Sequence, residues 1–127
     1  MAEIVVDTSA VLALLQDEPG AARVQAALPA AAMSGANYAE LISKLIEKGS
    51  PASEATASAA DLGLAVFPLD VAAAITVGAM HETTRGRGIS LGDRACLALG
   101  AQLALPVLTA DRAWAELDLG VEVVLIR

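Results

Sequence analysis

Three acidic side chains stand where carboxylates are seldom mere surface. Asp7 follows the short β-branched run Glu3 to Val6, and Asp111 falls two residues beyond the apolar segment Pro106 to Thr109. Such runs are the pattern of buried strands, so both acids sit at strand carboxyl ends. Each also has a plainer reading as a helix N-cap, a role that Asp fills readily. Asp93 is a different case. On a wheel drawn at about 100° per residue it lies between Cys96 and Leu97 and beside Gly100 and Ala104, facing the apolar stripe. Its plainer reading is placement in a first helical turn, where the helix dipole favours an acid. A fourth acid, Glu40, falls opposite the stripe of Tyr38, Leu41 and Leu45, near Lys44 and Glu47. Periodicity alone makes it solvated.

Convergence of several such acids would dictate their chemistry. Two carboxylates ~5 Å apart repel by ~3 kcal/mol at an effective dielectric near ~20, and several such pairs approach the net stability of a domain. The cluster must therefore take up protons or hold a cation. Carboxylate oxygens are hard ligands, which points to Mg²⁺ or Mn²⁺ and to metal-assisted hydrolysis of a phosphodiester. Nucleophile schemes lack support, because there is no Gly-x-Ser-x-Gly elbow and neither Cys96 nor His81 has an obvious mate. With one Cys and one His, no Cys/His zinc set and no intrachain disulfide can be assembled.

The elements that must position these residues follow from the pattern. Strands are expected at Glu3–Val6, Ala30–Ser34, Leu64–Leu69, Pro106–Thr109 and Val121–Ile126. Helices are expected at Ser9–Gln16, Ala21–Leu28, Asn37–Lys48, Pro51–Leu62, Val71–Thr84, Leu91–Leu105 and Arg112–Leu117. Ser50 is expected to cap the fourth helix, with Pro51 at its first position. The turn Arg85-Gly86-Arg87-Gly88 precedes Asp93. Strands alternating with helices argue for a mainly parallel sheet covered on both faces, with ligands bound beyond the strands' carboxyl ends.

Composition sets the frame. The 127 residues suit one domain, 1–127, and 56% hydrophobic against 18% charged residues exclude a disordered chain. Aromatics at 2% leave almost nothing on which to stack bases. Fifteen acids against eight Lys and Arg give a formal charge of −7, which by itself disfavours a polyanionic partner. There is neither a basic leader nor an apolar run of ~18 residues, and the lone Cys suits a reducing interior. A cytoplasmic protein without membrane attachment is the expectation.

Across nearly its full length the chain resembles the PIN-domain ribonucleases of the VapC toxin type, from bacterial toxin–antitoxin pairs. The resemblance is carried by Val5-Val6-Asp7-Thr8-Ser9-Ala10, Asp17-Glu18-Pro19-Gly20 and Asn37-Tyr38-Ala39-Glu40-Leu41. It continues through Ser90-Leu91-Gly92-Asp93-Arg94-Ala95-Cys96, Pro106-Val107-Leu108-Thr109-Ala110-Asp111-Arg112 and the segment Val123 to Arg127. It implies a three-layer α/β/α fold with a central, mainly parallel sheet of about five strands. It also implies an acidic site of Asp7, Glu40, Asp93 and Asp111, which sets Glu40 in a groove where periodicity alone puts it in solvent. Asp7 and Asp93 would be the principal ligands of Mg²⁺ or Mn²⁺, with Glu40 and Asp111 completing the site directly or through water. Thr109 would help to position a water or ligand, with Asn37 and Glu116 behind.

The same resemblance implies an RNA substrate, cleavage to a 5′-phosphate and a 3′-hydroxyl, silencing by a VapB-type antitoxin, and a homodimer. Arg85, Arg87, Arg94 and Arg112 are the cations expected to contact phosphates once a divalent ion reverses the local field. The stripes Val11–Leu15 and Tyr38–Ile46 are the expected contact surfaces for partners. Two alternatives remain: a catalytically silent PIN-like interaction module, and a receiver-like phosphoacceptor domain. The latter requires an adjacent acidic pair after the first strand and a late lysine. Asp7-Thr8 and the absence of Lys beyond Lys48 count against it.

Overall fold

The computed structural model describes residues 1–127. Its elements run β1 (Ile4–Val6), α1 (Thr8–Leu15), α2 (Ala21–Ala27), a 3₁₀ turn (Leu28–Ala30), β2 (Ala31–Ser34), α3 (Gly35–Glu47), α4 (Ala52–Asp61) and β3 (Ala65–Phe67). They continue with α5 (Val71–Ala79), α6 (His81–Thr84), α7 (Leu91–Leu103), β4 (Val107–Thr109), a second 3₁₀ turn (Arg112–Glu116) and β5 (Val123–Leu125).

The five strands form one sheet in the order β3-β2-β1-β4-β5, with every neighbouring pair parallel. Side chains alternate across it, as a pleated strand requires. Val6, Met33 and Leu108 enter one core with Ala10, Val11, Val24 and Leu41, whereas Val5, Ala32 and Val107 enter the other with Cys96, Leu97 and Trp114. Helices α1 to α4 thus cover one face and α7 the other, with α5 packed on α7. Gly100 permits the close approach of α7 to the sheet, since a Cβ there would come within 2.5 Å of Val107 Cγ2. The order reverses between β1 and β4. That is the switch point where doubly wound sheets bind ligands, and the order differs from the 2-1-3-4-5 of receiver domains. No helix is long and apolar enough to cross a membrane.

Three expectations needed correction. The segment Val71–Thr84 is two helices broken at Met80, where Arg94 Nη1 donates to the Val77 carbonyl at 2.9 Å and approaches that of Gly78 at 3.5 Å. A helix continued through Met80 would direct those carbonyls to amides of its own next turn. Pro51 is the N-cap of α4 rather than its first residue. Arg112–Leu117 is only a 3₁₀ turn, begun by the Asp111 carboxylate accepting from the Ala113 amide at 3.0 Å. Of the stripes expected to meet partners, Val11, Ala13 and Leu41 are core, and Leu15 and Ile46 remain exposed.

Candidate active site

Asp7 lies directly beyond β1 and is 4% exposed. It occupies the N-cap position of α1, yet its side chain makes no capping bond. Its Oδ2 instead accepts from Ser9 Oγ at 2.6 Å and from Thr109 Oγ1 at 3.0 Å. Those hydroxyls are fixed in turn, as Ser9 Oγ accepts from the Ala110 amide and Thr109 Oγ1 from the Asp111 amide. The ends of β1 and β4, adjacent in the sheet, thereby form one polar lattice beneath the carboxylate. Burial pushes the Asp7 carboxyl up to about 6, against the lowering effect of the Ser9 and Thr109 bonds and with a smaller contribution from the charge of Asp93.

Asp93 opens α7 in a capping box, its Oδ2 accepting from the Ser90 amide at 2.9 Å while the Asp93 amide donates to Ser90 Oγ at 3.1 Å. The plainer first-turn role and the inward orientation therefore coexist. Its carboxyl is also held above the usual range, first by burial and then, against the Ser90 bonds, by the charges of Asp111 and Glu40. Glu40, on α3, is half-buried. A Cβ on Gly92 would stand 3.1 Å from Glu40 Oε2 and 3.2 Å from Oε1, so the bare backbone at the start of α7 is what admits that carboxylate. Glu40 thus faces a cleft rather than open solvent.

Asn37 holds these elements together. Fully buried, it donates from Nδ2 to the Gly92 carbonyl at 3.0 Å, accepts from Ser34 Oγ at 2.9 Å, and offers its own carbonyl to Thr8 Oγ1 at 3.2 Å. The starts of α1, α3 and α7 are thus tied to one residue.

Asp7, Glu40, Asp93 and Asp111 all line one open cleft of about 360 Å³, together with Ser9, Gln16, Glu18, Lys44, Lys48 and Arg127. A larger cavity of about 440 Å³ lies between β3, α5 and α7. It is mostly apolar and its one acid, Asp70, is engaged as the cap of α5, whereas five carboxylates line the smaller cleft. Thr109 lies beneath that cleft, fully buried. Glu116, Arg85, Arg87 and Arg112 are exposed and do not line it. Arg94 is engaged with the end of α5. The cations actually present, Lys44, Lys48 and Arg127, were not singled out by sequence reasoning. Their signal was available, since Lys44 and Lys48 follow Glu40 at helical spacing.

The donor set is all oxygen and suits a hard divalent cation. No three of the acids form a ready-made ligand group.

Comparison with known proteins accords with this fold. A family model described as PIN domain matches residues 4–119. The structure is similar to a DNA-bound VapBC from Salmonella typhimurium, with a TM-score of 0.72 and 19% identity over 100% of both chains. It is similar to a toxin–antitoxin complex from Klebsiella pneumoniae, with a TM-score of 0.74 and 18% identity over 98% of each chain. VapBC-5 from Mycobacterium tuberculosis gives a TM-score of 0.57 and 24% identity over 100% of this chain and 99% of that one. At these identities the likeness speaks for the fold. No curated protein matches the chain in sequence.

Proposed function

The chain belongs to the PIN-domain family, whose members are generally nucleases, and from that premise we infer that it is a metal-dependent endoribonuclease acting as the toxin of a toxin–antitoxin pair. The observation that carries this reading is the buried Asp7 carboxylate, raised to about 6 and sharing one cleft with Asp93, Glu40 and Asp111 at the switch point of the sheet. Asp7 and Asp93 would hold Mg²⁺ or Mn²⁺, with Glu40 and Asp111 reached directly or through water. When bound, such an ion supplies charge neutralisation at the phosphate and acidifies water in the cleft.

The chain's own residues do the remainder. Ser9 and Thr109 fix Oδ2 of Asp7, so its orientation is set before substrate arrives. The capping box sets that of Asp93. Glu40 and Asp111 face the space between, where each can orient a water by accepting its proton in a hydrogen bond. The cytoplasm, an RNA substrate, a VapB-type antitoxin and a homodimer belong to the same reading. It draws support from the toxin–antitoxin complexes among the structural neighbours.

A ribonuclease assay tests it. Cleavage should require Mg²⁺ or Mn²⁺, stop with EDTA, and fall at least a hundredfold in Asp7→Ala and in Asp93→Ala. Undiminished cleavage in both variants would remove the site. A wild-type chain that cuts nothing in either metal would instead favour the silent interaction module.

A further inference from the structure

The cations at the cleft are not those nearest to Asp93 in sequence. Of eight Lys and Arg residues, three line it: Lys44, Lys48 and Arg127. Arg127 is already engaged, its Nη1 pairing with Glu18 at 3.5 Å and donating to the Pro19 carbonyl at 3.0 Å. That is the only ion pair in the structure, so neither lysine is neutralised by a protein carboxylate, although five line the same cleft. With the Gln16 amide oriented to satisfy its neighbours, its oxygen accepts from Lys48 Nζ at 3.3 Å, a neutral partner. Both lysines are exposed.

Lys44 on α3 and Lys48, the C-cap that ends it, follow Glu40 at intervals of four, so the three lie toward one side and advance by about 6 Å per step along the axis. One carboxylate followed by two ammonium groups that no carboxylate pairs gives this wall of the cleft a direction. The acid end suits a metal and the reacting phosphodiester. The ammonium end suits a ligand whose negative charges recur at about one helical turn, and an extended single polynucleotide strand is such a ligand. Lysine meets phosphate as a point charge, without demanding one geometry. With aromatics at 2%, the backbone rather than the bases offers the available grip.

Resting on the nuclease reading above, we propose that Lys44 and Lys48 are positioning residues that seat successive phosphates of a single RNA strand to one side of the acids, laying that strand along α3. The expected cations Arg85, Arg87, Arg94 and Arg112 have no part in this subsite.

Binding and turnover are measured separately to test it. A dye-labelled single-stranded RNA is titrated at several salt concentrations against Asp7→Asn, alone and combined with Lys44→Ala plus Lys48→Ala or with Lys44→Arg plus Lys48→Arg. Loss of two phosphate contacts should reduce the slope of log K against log salt by about 1.4, and the Arg pair should retain it. In the otherwise wild-type chain the Ala pair should raise KM several-fold and leave kcat within about twofold, a split that loss of structure would not produce. An unchanged salt slope in the Ala pair overturns the proposal, even if the wild type cuts RNA. A lysine-dependent slope in a chain that cuts no RNA upholds the subsite and overturns the nuclease reading instead.

Discussion

Ser9 Oγ donates to Asp7 Oδ2 at 2.6 Å and accepts from the Ala110 amide at 3.0 Å, so one hydroxyl fastens the carboxylate beyond β1 to the loop beyond β4. Bonds of this kind favour the ionised form, whereas burial opposes it. Asp7 sits near 6 as the outcome of that contest.

Replacing Ser9 by Ala removes one of the two hydroxyls that favour the charge. The Asp7 carboxyl should then rise further, by about one unit for a charge-assisted bond. The acid limb of the cleavage profile should move to higher pH by that amount. A pH series of kcat/KM for wild type and Ser9→Ala measures it, and an unmoved limb would mean that Asp7 does not govern it.

Stability should carry the opposite signature from that of an ordinary paired acid. The folded Asp7 holds its proton more tightly than the unfolded chain does, about 6 against 3.8. Its contribution is therefore fully present below about pH 4 and is lost as pH rises through about 6, amounting to about 3 kcal/mol over the full interval. Without metal, Asp7→Asn should be the more stable protein at pH 7 and should lack this loss, although it cuts nothing. Urea unfolding at pH 4 and pH 7 checks both. Mn²⁺ should restore wild-type stability at pH 7 and have little effect on Asp7→Asn.

Gly92→Ala separates positioning from folding. The added methyl meets the end of the Glu40 side chain at 3.1 Å, and a terminal carboxylate gives way at little energetic cost. The melting temperature should change by no more than about 3 °C, within ~1 kcal/mol. Cleavage should fall about tenfold, the equivalent of about 1.4 kcal/mol in the barrier. Full activity in this variant would show that the position of Glu40 is immaterial.

The sequence discloses most where a local pattern and the global fold coincide. A β-branched run that stops at an acid locates Asp7, and an apolar run two residues before another locates Asp111, because parallel strands bring both ends to one edge. Glu40 escapes periodicity for a physical reason: an apolar stripe records only the face turned to the sheet, and a cleft on the opposite side leaves no apolar trace. The arginines misled in a related way. Arg94 adjoins Asp93 in sequence, but consecutive helical residues point about 100° apart, and its guanidinium ends α5 instead. The division of Val71–Thr84 is likewise a tertiary effect, invisible to helix propensity. Family resemblance supplied Glu40; helical spacing already sets Lys44 beside it, and the folded chain brings both lysines to the cleft.

β1 is paired on both sides, with β2 and with β4. Asp7 is made early, yet Thr109, whose hydroxyl donates to it at 3.0 Å, lies 102 positions later. Until residue 109 has been added, that carboxylate therefore lacks one of the two hydroxyls that hold it. The cleft is complete only with β4 beside β1, because Ala110 and Asp111 line it from the end of β4. A chain that ends before β4 lacks Thr109 and Asp111, and with them part of the acidic cleft and of the lattice beneath it.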